Sequence, residues 1–208
     1  EIRVTGHVAR AKVTQRFLNP HRDWYEGIYV FPLPENAAVD RLRMKIGERM
    51  VEGEVRERAQ AKKTYAEAKA EGRRAALIEQ ERPNIFTSSV ANIAPGEEIR
   101  VEIEYQQTLR YDQGRYALRF PMVVGPRYLP ASMDPVDAAR ISPAVLRPGE
   151  DGAIHNPVSL RVEVQAGVAL AGLRSPSQAI DTESCGGAPC RAVLRGPVPA
   201  NKDFVLDW

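Results

Sequence analysis

Apolar and polar residues alternate most regularly between Ile99 and Tyr105, where Ile99, Val101, Ile103 and Tyr105 are separated by Arg100, Glu102 and Glu104. A period of two is that of a strand with one face on a core and one in water. Upstream, Ile85-Phe86-Thr87 and Val90 form a second extended piece, joined to the first by Pro95-Gly96. Proline presets φ at the first corner of a type II turn and glycine accepts positive φ at the second. The two pieces are therefore expected to pair across that corner. Residues 2–17 read as extended, but Val4, Val8, Val13 and Phe17 do not keep one alternation, so a bulge or bend is expected near Ala9–Ala11. A turn cluster at 19–23 precedes Trp24–Phe31, which is rich in aromatic and β-branched residues, closes at Pro32 and Pro34, and reads as a central strand.

Val39–Val55 has the pattern of a hairpin. Leu42, Met44 and Ile46 alternate with Arg41, Arg43 and Lys45; Gly47-Glu48 turns the chain, and Glu48, Glu52 and Glu54 lie on the return. Cross-strand charge pairing is the expected fate of that basic face, ahead of an anion site. Arg56–Glu71 is dominated by alanine, lysine and glutamate and predicts a helix ended by Gly72. Ala59, Ala66 and Ala70 make its expected docking stripe, with Tyr65 at the shoulder and Lys62 snorkelling to water. Thr108–Phe120 predicts another hairpin around Asp112-Gln113-Gly114. The pattern lapses through a proline-rich stretch from Pro121 to Pro157, long enough to be a functional loop. It returns at Val158–Val164, with weaker strands near Leu170–Leu173, Arg191–Leu194 and Phe204–Leu206. The expected fold is mainly β, an antiparallel sandwich with one helix at about 56–71 packed across it.

Composition adds limits. Among 208 residues, 43% are hydrophobic, enough for a sizeable core, and a formal net charge of +2 gives no reason to expect nucleic acid. No apolar run approaches the roughly 20 residues of a membrane-spanning helix, so direct insertion by this segment is not expected. The chain opens at Glu1 within strand-like sequence and is expected to be a domain cut from a longer protein. Cys185 and Cys190 flank Gly-Gly-Ala-Pro, and a disulfide between them, with its oxidising compartment, is favoured over two reduced thiols in a surface loop.

Reactive chemistry is sparse. His7, His21 and His155 are isolated in sequence, and no nucleophile elbow, phosphate loop or dinucleotide fingerprint occurs. Carboxylates alternate with cations as on a solvated surface. Asn84 and Asn92 are expected to bond neighbouring backbone, and a cross-link from Lys62 or Lys63 to such an amide is not expected. No catalytic, cofactor-binding or metal-ligating residue is assigned.

Several runs together resemble the VIT (vault protein, inter-α-trypsin) domain. They are Gly27-Ile-Tyr-Val-Phe-Pro-Leu-Pro-Glu-Asn-Ala-Ala-Val39, Met44-Lys-Ile-Gly-Glu-Arg49, Ala61-Lys-Lys-Thr-Tyr-Ala-Glu-Ala68 and Ala75-Ala-Leu-Ile-Glu-Gln80. The likeness continues through Arg82–Glu97 and Leu118-Arg-Phe-Pro121. It covers about residues 1–130, leaving 131–157 as a long proline-rich connection and 158–208 as C-terminal strands of one VIT-type domain. The resemblance implies a β-sandwich crossed by a helix, without established catalytic residues, usually followed by a von Willebrand factor type A domain. The metal site of that companion needs an Asp-x-Ser-x-Ser run, absent here because Ser88-Ser89 and Ser175-Pro-Ser177 lack the leading aspartate. The likeness is greatest to the bacterial branch, which implies an extracytoplasmic place on the envelope or surface, anchored by segments outside these residues. The partner is then a protein or the neighbouring von Willebrand factor type A domain. Arg41, Arg43 and Lys45, the helix face with Lys63, Glu67 and Arg74, and the proline-rich loop are the candidate contacts. A spacer docking only to its own neighbour, and a hydrolase with an unrecognised site, are the alternatives.

Overall fold

A computed structural model describes residues 1–54, 56–82, 84–124, 157–183, 185 and 189–208. The strands are β1 (Ile2–Thr5), β2 (Val8–Leu18), β3 (Tyr25–Pro32), β4 (Ala38–Ile46) and β5 (Arg49–Glu52), followed by helix α1 (Arg58–Ala70). Then come β6 (Ala75–Arg82), β7 (Ile85–Ile93), β8 (Glu98–Thr108), β9 (Tyr111–Asp112) and β10 (Arg115–Phe120). The last four are β11 (Arg161–Gln165), β12 (Ile180–Glu183), β13 (Cys190–Leu194) and β14 (Phe204–Asp207). An eight-stranded sheet runs β12-β13-β11-β1-β2-β8-β4-β5, and two three-stranded sheets run β3-β7-β6 and β14-β10-β9. The architecture is mainly β with one helix among the described residues, and every strand pair is antiparallel except β1 with β11.

β8 carries the large sheet. It pairs with β2 from Val8 opposite Thr108 to Leu18 opposite Glu98, and on its other side with β4. Its inward residues Ile99, Val101, Ile103 and Tyr105 are wholly buried, as the alternation predicts. They meet Phe31, Val90 and Ile93 of β3-β7-β6 and Leu118, Phe204 and Leu206 of β14-β10-β9 in one core. The stretch 2–17 is two strands joined at Gly6-His7, where Gly6 takes φ +58°, so the expected bulge near Ala9–Ala11 is absent. β2 keeps its register throughout, with Ala9 and Ala11 inward and Val8 outward, which is why the valines had no common parity.

The Pro95-Gly96 corner is a type II turn. Gly96 has φ +69° and the Glu97 N–H donates to the Ala94 carbonyl at 3.0 Å. It does not join paired strands. β7 lies between β3 and β6, and the corner passes the chain into the other sheet. The burial of the two strands differs accordingly: β7 is shielded on both faces, β8 on one. β3, expected to be central, forms an edge of its sheet. There Gly27 lets the backbone pass close to Phe17, whose ring would stand 2.5 Å from any added Cβ.

Asn19 fastens the corner from outside. Its amide donates to the carbonyls of Asp23 at 2.7 Å and Ile93 at 2.9 Å, its side-chain oxygen accepts the His21 N–H at 2.9 Å, and its own carbonyl accepts from Gly96 at 2.9 Å.

The helix ends at a Schellman motif. Gly72, at φ +72°, donates to the Lys69 carbonyl at 3.1 Å and Arg73 to that of Ala68 at 2.9 Å. Its docking face is not the predicted Ala59, Ala66, Ala70 stripe, whose members are exposed; Ala61, Lys62, Tyr65 and Ala68 turn inward. In the C-terminal part, Leu170–Leu173 forms no strand and Ile180–Glu183 does, at the sheet edge beside β13. The proline-rich connection 131–157 lies outside the described residues apart from Pro157.

Asn19 is almost fully buried. Asn19→Ala therefore leaves the Ile93 carbonyl without its donor, and a loss of about 2–3 kcal/mol is expected in urea unfolding. An unchanged unfolding midpoint would remove Asn19 from this role.

Candidate interaction surface

The basic face of β4 meets acids on both sides. The Glu104 carboxylate receives Arg10 at 3.0 Å, Arg41 at 3.7 Å and Arg43 at 3.9 Å, and Arg43 also donates to Glu52 at 3.0 Å. Along the same face Lys12 pairs with Glu102 at 2.9 Å, and Glu98 pairs with Arg16 and Arg100. The glutamates of β8 thus form an acidic column beside cations of β2 and β4. Of the pairing expected within the β4–β5 hairpin only Arg43 with Glu52 is seen among the described residues, and Arg41 and Arg43 turn to Glu104 on the other side. Lys45 stands opposite Arg100 and Met50, outside this pairing. Burial pushes the Glu104 carboxyl up, but the Arg10 hydrogen bond and the charges of Arg41, Arg10 and Arg43 outweigh it and hold it below the usual range. Beside the column, Glu1, Arg3, Arg10, Lys12 and Glu104 line a groove of about 350 Å³.

On the helix, Lys63 and Glu67 lie on the solvent side, 3.9 Å apart as an i,i+4 pair. Arg74 belongs to the corner. Its guanidinium reaches Glu97 at 3.2 Å and sits 5.1 Å over the ring of Trp24, while Glu97 accepts the Ala94 N–H at 2.8 Å. The six predicted surface residues are therefore not one patch. Arg41 and Arg43 are in the charge ladder, Lys63 and Glu67 are on the exposed helix face, and Arg74 braces the turn.

The inward side of α1 carries groups that sequence reasoning missed. Lys62, expected to extend into water, pairs at 3.1 Å with Glu79, a carboxylate only 5% exposed, which Arg58 approaches at 3.4 Å. Tyr65 donates to Glu26 at 2.7 Å, and Lys69 pairs with the other oxygen of that carboxylate at 2.6 Å. Asn92, at φ +57°, donates to the carbonyls of Lys69 at 3.0 Å and Arg73 at 2.8 Å. The signal was present as Arg58, Lys62, Tyr65 and Lys69 at helical spacing, a stripe of cations and a phenol. An apolar criterion does not find it.

Apolar side chains also reach the surface near the start of β3. Leu18, Trp24, Tyr25 and Ile28 are 62%, 57%, 54% and 55% exposed, and the His21 ring stacks 5.1 Å from that of Tyr25. At the β9–β10 hairpin, Tyr111 lies 5.1 Å from Tyr116, which stacks 5.9 Å from Trp208. Cys185 and Cys190 form a disulfide that closes the loop between β12 and β13. His155 lies outside the described residues. Among the described residues no three His, Cys, Asp or Glu gather where they could hold a metal ion, and no helix is long and apolar enough to cross a membrane.

Asp203 ties the end of β10 to the lead into β14. It accepts the Met122 and Val123 N–H groups at 3.0 and 3.3 Å and pairs with Arg119. Burial raises its carboxyl, but these two backbone donors and Arg119 hold it below the ordinary value.

Comparison with known proteins gives a consistent picture. A family model, the vault protein inter-alpha-trypsin domain, matches residues 1–105. The mono-ADP-ribosyltransferase PARP4 of Mus musculus is 35% identical over 103 residues, which is 50% of this chain and 5% of that protein. Inter-alpha-trypsin inhibitor heavy chain H6 of Homo sapiens is 34% identical over 120 residues, 55% of this chain and 9% of that one. The von Willebrand factor A domain-containing protein 5A of Rattus norvegicus is 29% identical over 129 residues, 60% of this chain and 16% of that one. The chain thus spans a small part of the length of each of these relatives.

The depressed carboxyls fix a pH dependence. A group whose folded pKa is lowered adds stability above its unfolded pKa and loses it as pH falls through the folded one. Stability is therefore expected to hold down to about pH 5 and then fall as Glu104 and Asp203 protonate, from starting values of 4.5 and 3.8 downward. Asp203→Asn should flatten the acid limb of urea-unfolding free energy measured between neutral and strongly acidic pH. An unaltered limb would count against this assignment.

Proposed function

We propose, from the premise that this chain belongs to the VIT (vault protein inter-alpha-trypsin) domain family, that it is a non-enzymatic protein-interaction domain. We read it as an adhesion-supporting module beside a von Willebrand factor type A domain, in an extracytoplasmic setting on a bacterial envelope or surface. The observation that carries the interaction reading is the exposure of the apolar side chains Leu18, Trp24, Tyr25 and Ile28, of which Trp24 is braced by Arg74. The likeness to a von Willebrand factor A domain-containing protein, 5A, supports the companion domain. The Cys185–Cys190 disulfide supports an oxidising compartment.

We further read 1–208 as one domain. β11 and β13 extend the sheet begun by β1, and β14 pairs with β10. The hydrolase alternative has its nearest geometric counterpart in the groove with Glu1 and Glu104. There Glu104 is held ionised by three arginines, which suits a salt-bridge ladder better than a proton donor. The spacer alternative, docking only to a neighbouring domain of the same chain, draws on the exposed Tyr111 and its stack on Tyr116 and Trp208.

Hydrogen exchange of residues 1–208 alone and within the full-length protein tests these readings. Leu18–Ile28 is expected to become protected when the partner is bound, and the paired Trp24→Ser and Tyr25→Ser substitutions to weaken binding about 10- to 100-fold. Charge reversal at Arg41, Arg43 and Lys45 should leave it nearly intact. Protection confined to Tyr111 and Trp208, present without any partner, would favour the spacer. Binding unmoved by the Trp24 and Tyr25 changes would overturn the proposed surface.

A further inference from the structure

The helix lies on the β3-β7-β6 sheet in a way unlike any other contact in the molecule. Only Ala68 of its thirteen residues is fully buried, and it has neither a side-chain N-cap nor an acid in its first turn. A free helix of this length is marginal in water, and its order has to come from what it docks against. Beside the small apolar seat of Ala68, what holds it is polar. Glu79 on β6 holds Arg58 and Lys62, Glu26 on β3 holds Tyr65 and Lys69, and Asn92 on β7 holds the carbonyls of Lys69 and Arg73. Each strand of the sheet contributes one fastener.

From this geometry we propose that α1 is a releasable strap, one that leaves its sheet as a unit while the three sheets stay folded. Little apolar surface on the helix is lost when it lifts, since most of its residues are already exposed. The sheet beneath does not need it for pairing, because β7 is bonded to β3 on one side and to β6 on the other. In register, Thr87 stands opposite Glu79, Ser89 opposite Leu77 and Ala91 opposite Ala75, so these residues share the face on which the helix lies. Thr87, Ser89 and Ala91 are all but inaccessible, and opening uncovers that face together with the Glu79 carboxylate. The Schellman turn at Gly72 and the two Asn92 hydrogen bonds mark the end from which the strap is held last. The Lys69–Glu26 pair is open enough to be screened by salt while Glu79 is buried and screened less, so salt promotes the opening through the Glu26 fastener.

Native-state hydrogen exchange of residues 1–208, in low and high sodium chloride, tests this. The central amides, Tyr65 to Ala68, are expected to exchange about 100-fold faster than those of β8, and faster again in salt. Lys62→Ala should speed them by a further factor of about 10 and leave β8 unchanged. Tyr65→Phe, which keeps the ring and removes one donor, should do the same to a smaller degree. Either variant serves where Glu79→Gln fails to fold. Exchange of α1 and β8 at a common rate would overturn the proposal. So would protection lost at the helix ends alone, or variants that speed β8 as much as α1.

Discussion

Because Ile99, Val101, Ile103 and Tyr105 must all reach the core, β8 has one permitted register, and its neighbours inherit it. A slip of one residue would turn four wholly buried side chains into water and bring Arg100, Glu102 and Glu104 inside. The same alternation that fills the core therefore places the glutamates outside. There they stand between the cations of β2 and β4. The charge ladder is a by-product of packing rather than a separate design. Exposed pairs of this kind add little, because water and salt screen them. Its order comes from the buried face, and its energy contributes little to that order.

Past the Pro95-Gly96 corner the logic changes. The corner carries the chain from a sheet held by apolar burial to one whose outer cover is held by carboxylates. Asn19, Asn92 and Glu97 do the joining, each through main-chain groups that a turn leaves without partners. Arg74 links the two regimes, reaching Glu97 on one side and Trp24 on the other. Arg74 follows the end of α1 by four residues and lies over Trp24 beside β3.

Much of this was legible in the sequence where the physics is local. Alternation marked β4, β8 and β11, and turn chemistry marked Gly47-Glu48, Pro95-Gly96 and Gln113-Gly114, the last with both residues at positive φ. The helix bounds were off by two residues at the start and one at the end. Sheet membership was not legible, because a turn reads the same whether it joins paired strands or crosses between sheets. Nor was the parallel pairing of β1 with β11, which depends on residues far apart in the chain. The helix was given a face rotated from the true one: Lys62 and Tyr65 do turn inward, but with Ala61 and Ala68 in place of Ala59, Ala66 and Ala70. The polar part of that stripe takes its meaning from Glu26 and Glu79, on strands that precede and follow it. For the surface, the outward direction of Arg41 and Arg43 followed from strand parity, but their main partner, Glu104 of β8, did not, nor did the exposure of Trp24 and Tyr25. Aromatic residues in a strand pattern are ordinarily assigned to the core, whereas Trp24 lies just before β3 and Tyr25 is its first residue, where the sheet gives little cover.

The two kinds of surface are not equivalent for recognition. A partner reading charge on the large sheet would have to take Arg41 and Arg43 from Glu104 and Glu52, exchanging existing pairs for new ones at little gain. A partner covering Leu18, Trp24, Tyr25 and Ile28 breaks no pair and removes apolar area from water. Trp24 is already held by Arg74, and Tyr25 by its stack on His21, so less side-chain freedom is lost on contact. On the balance of desolvation, exchange and ordering, covering the exposed apolar side chains beside β3 costs less than taking over the charge ladder. The same balance explains why a sequence rich in surface charge need not recognise its partner through that charge.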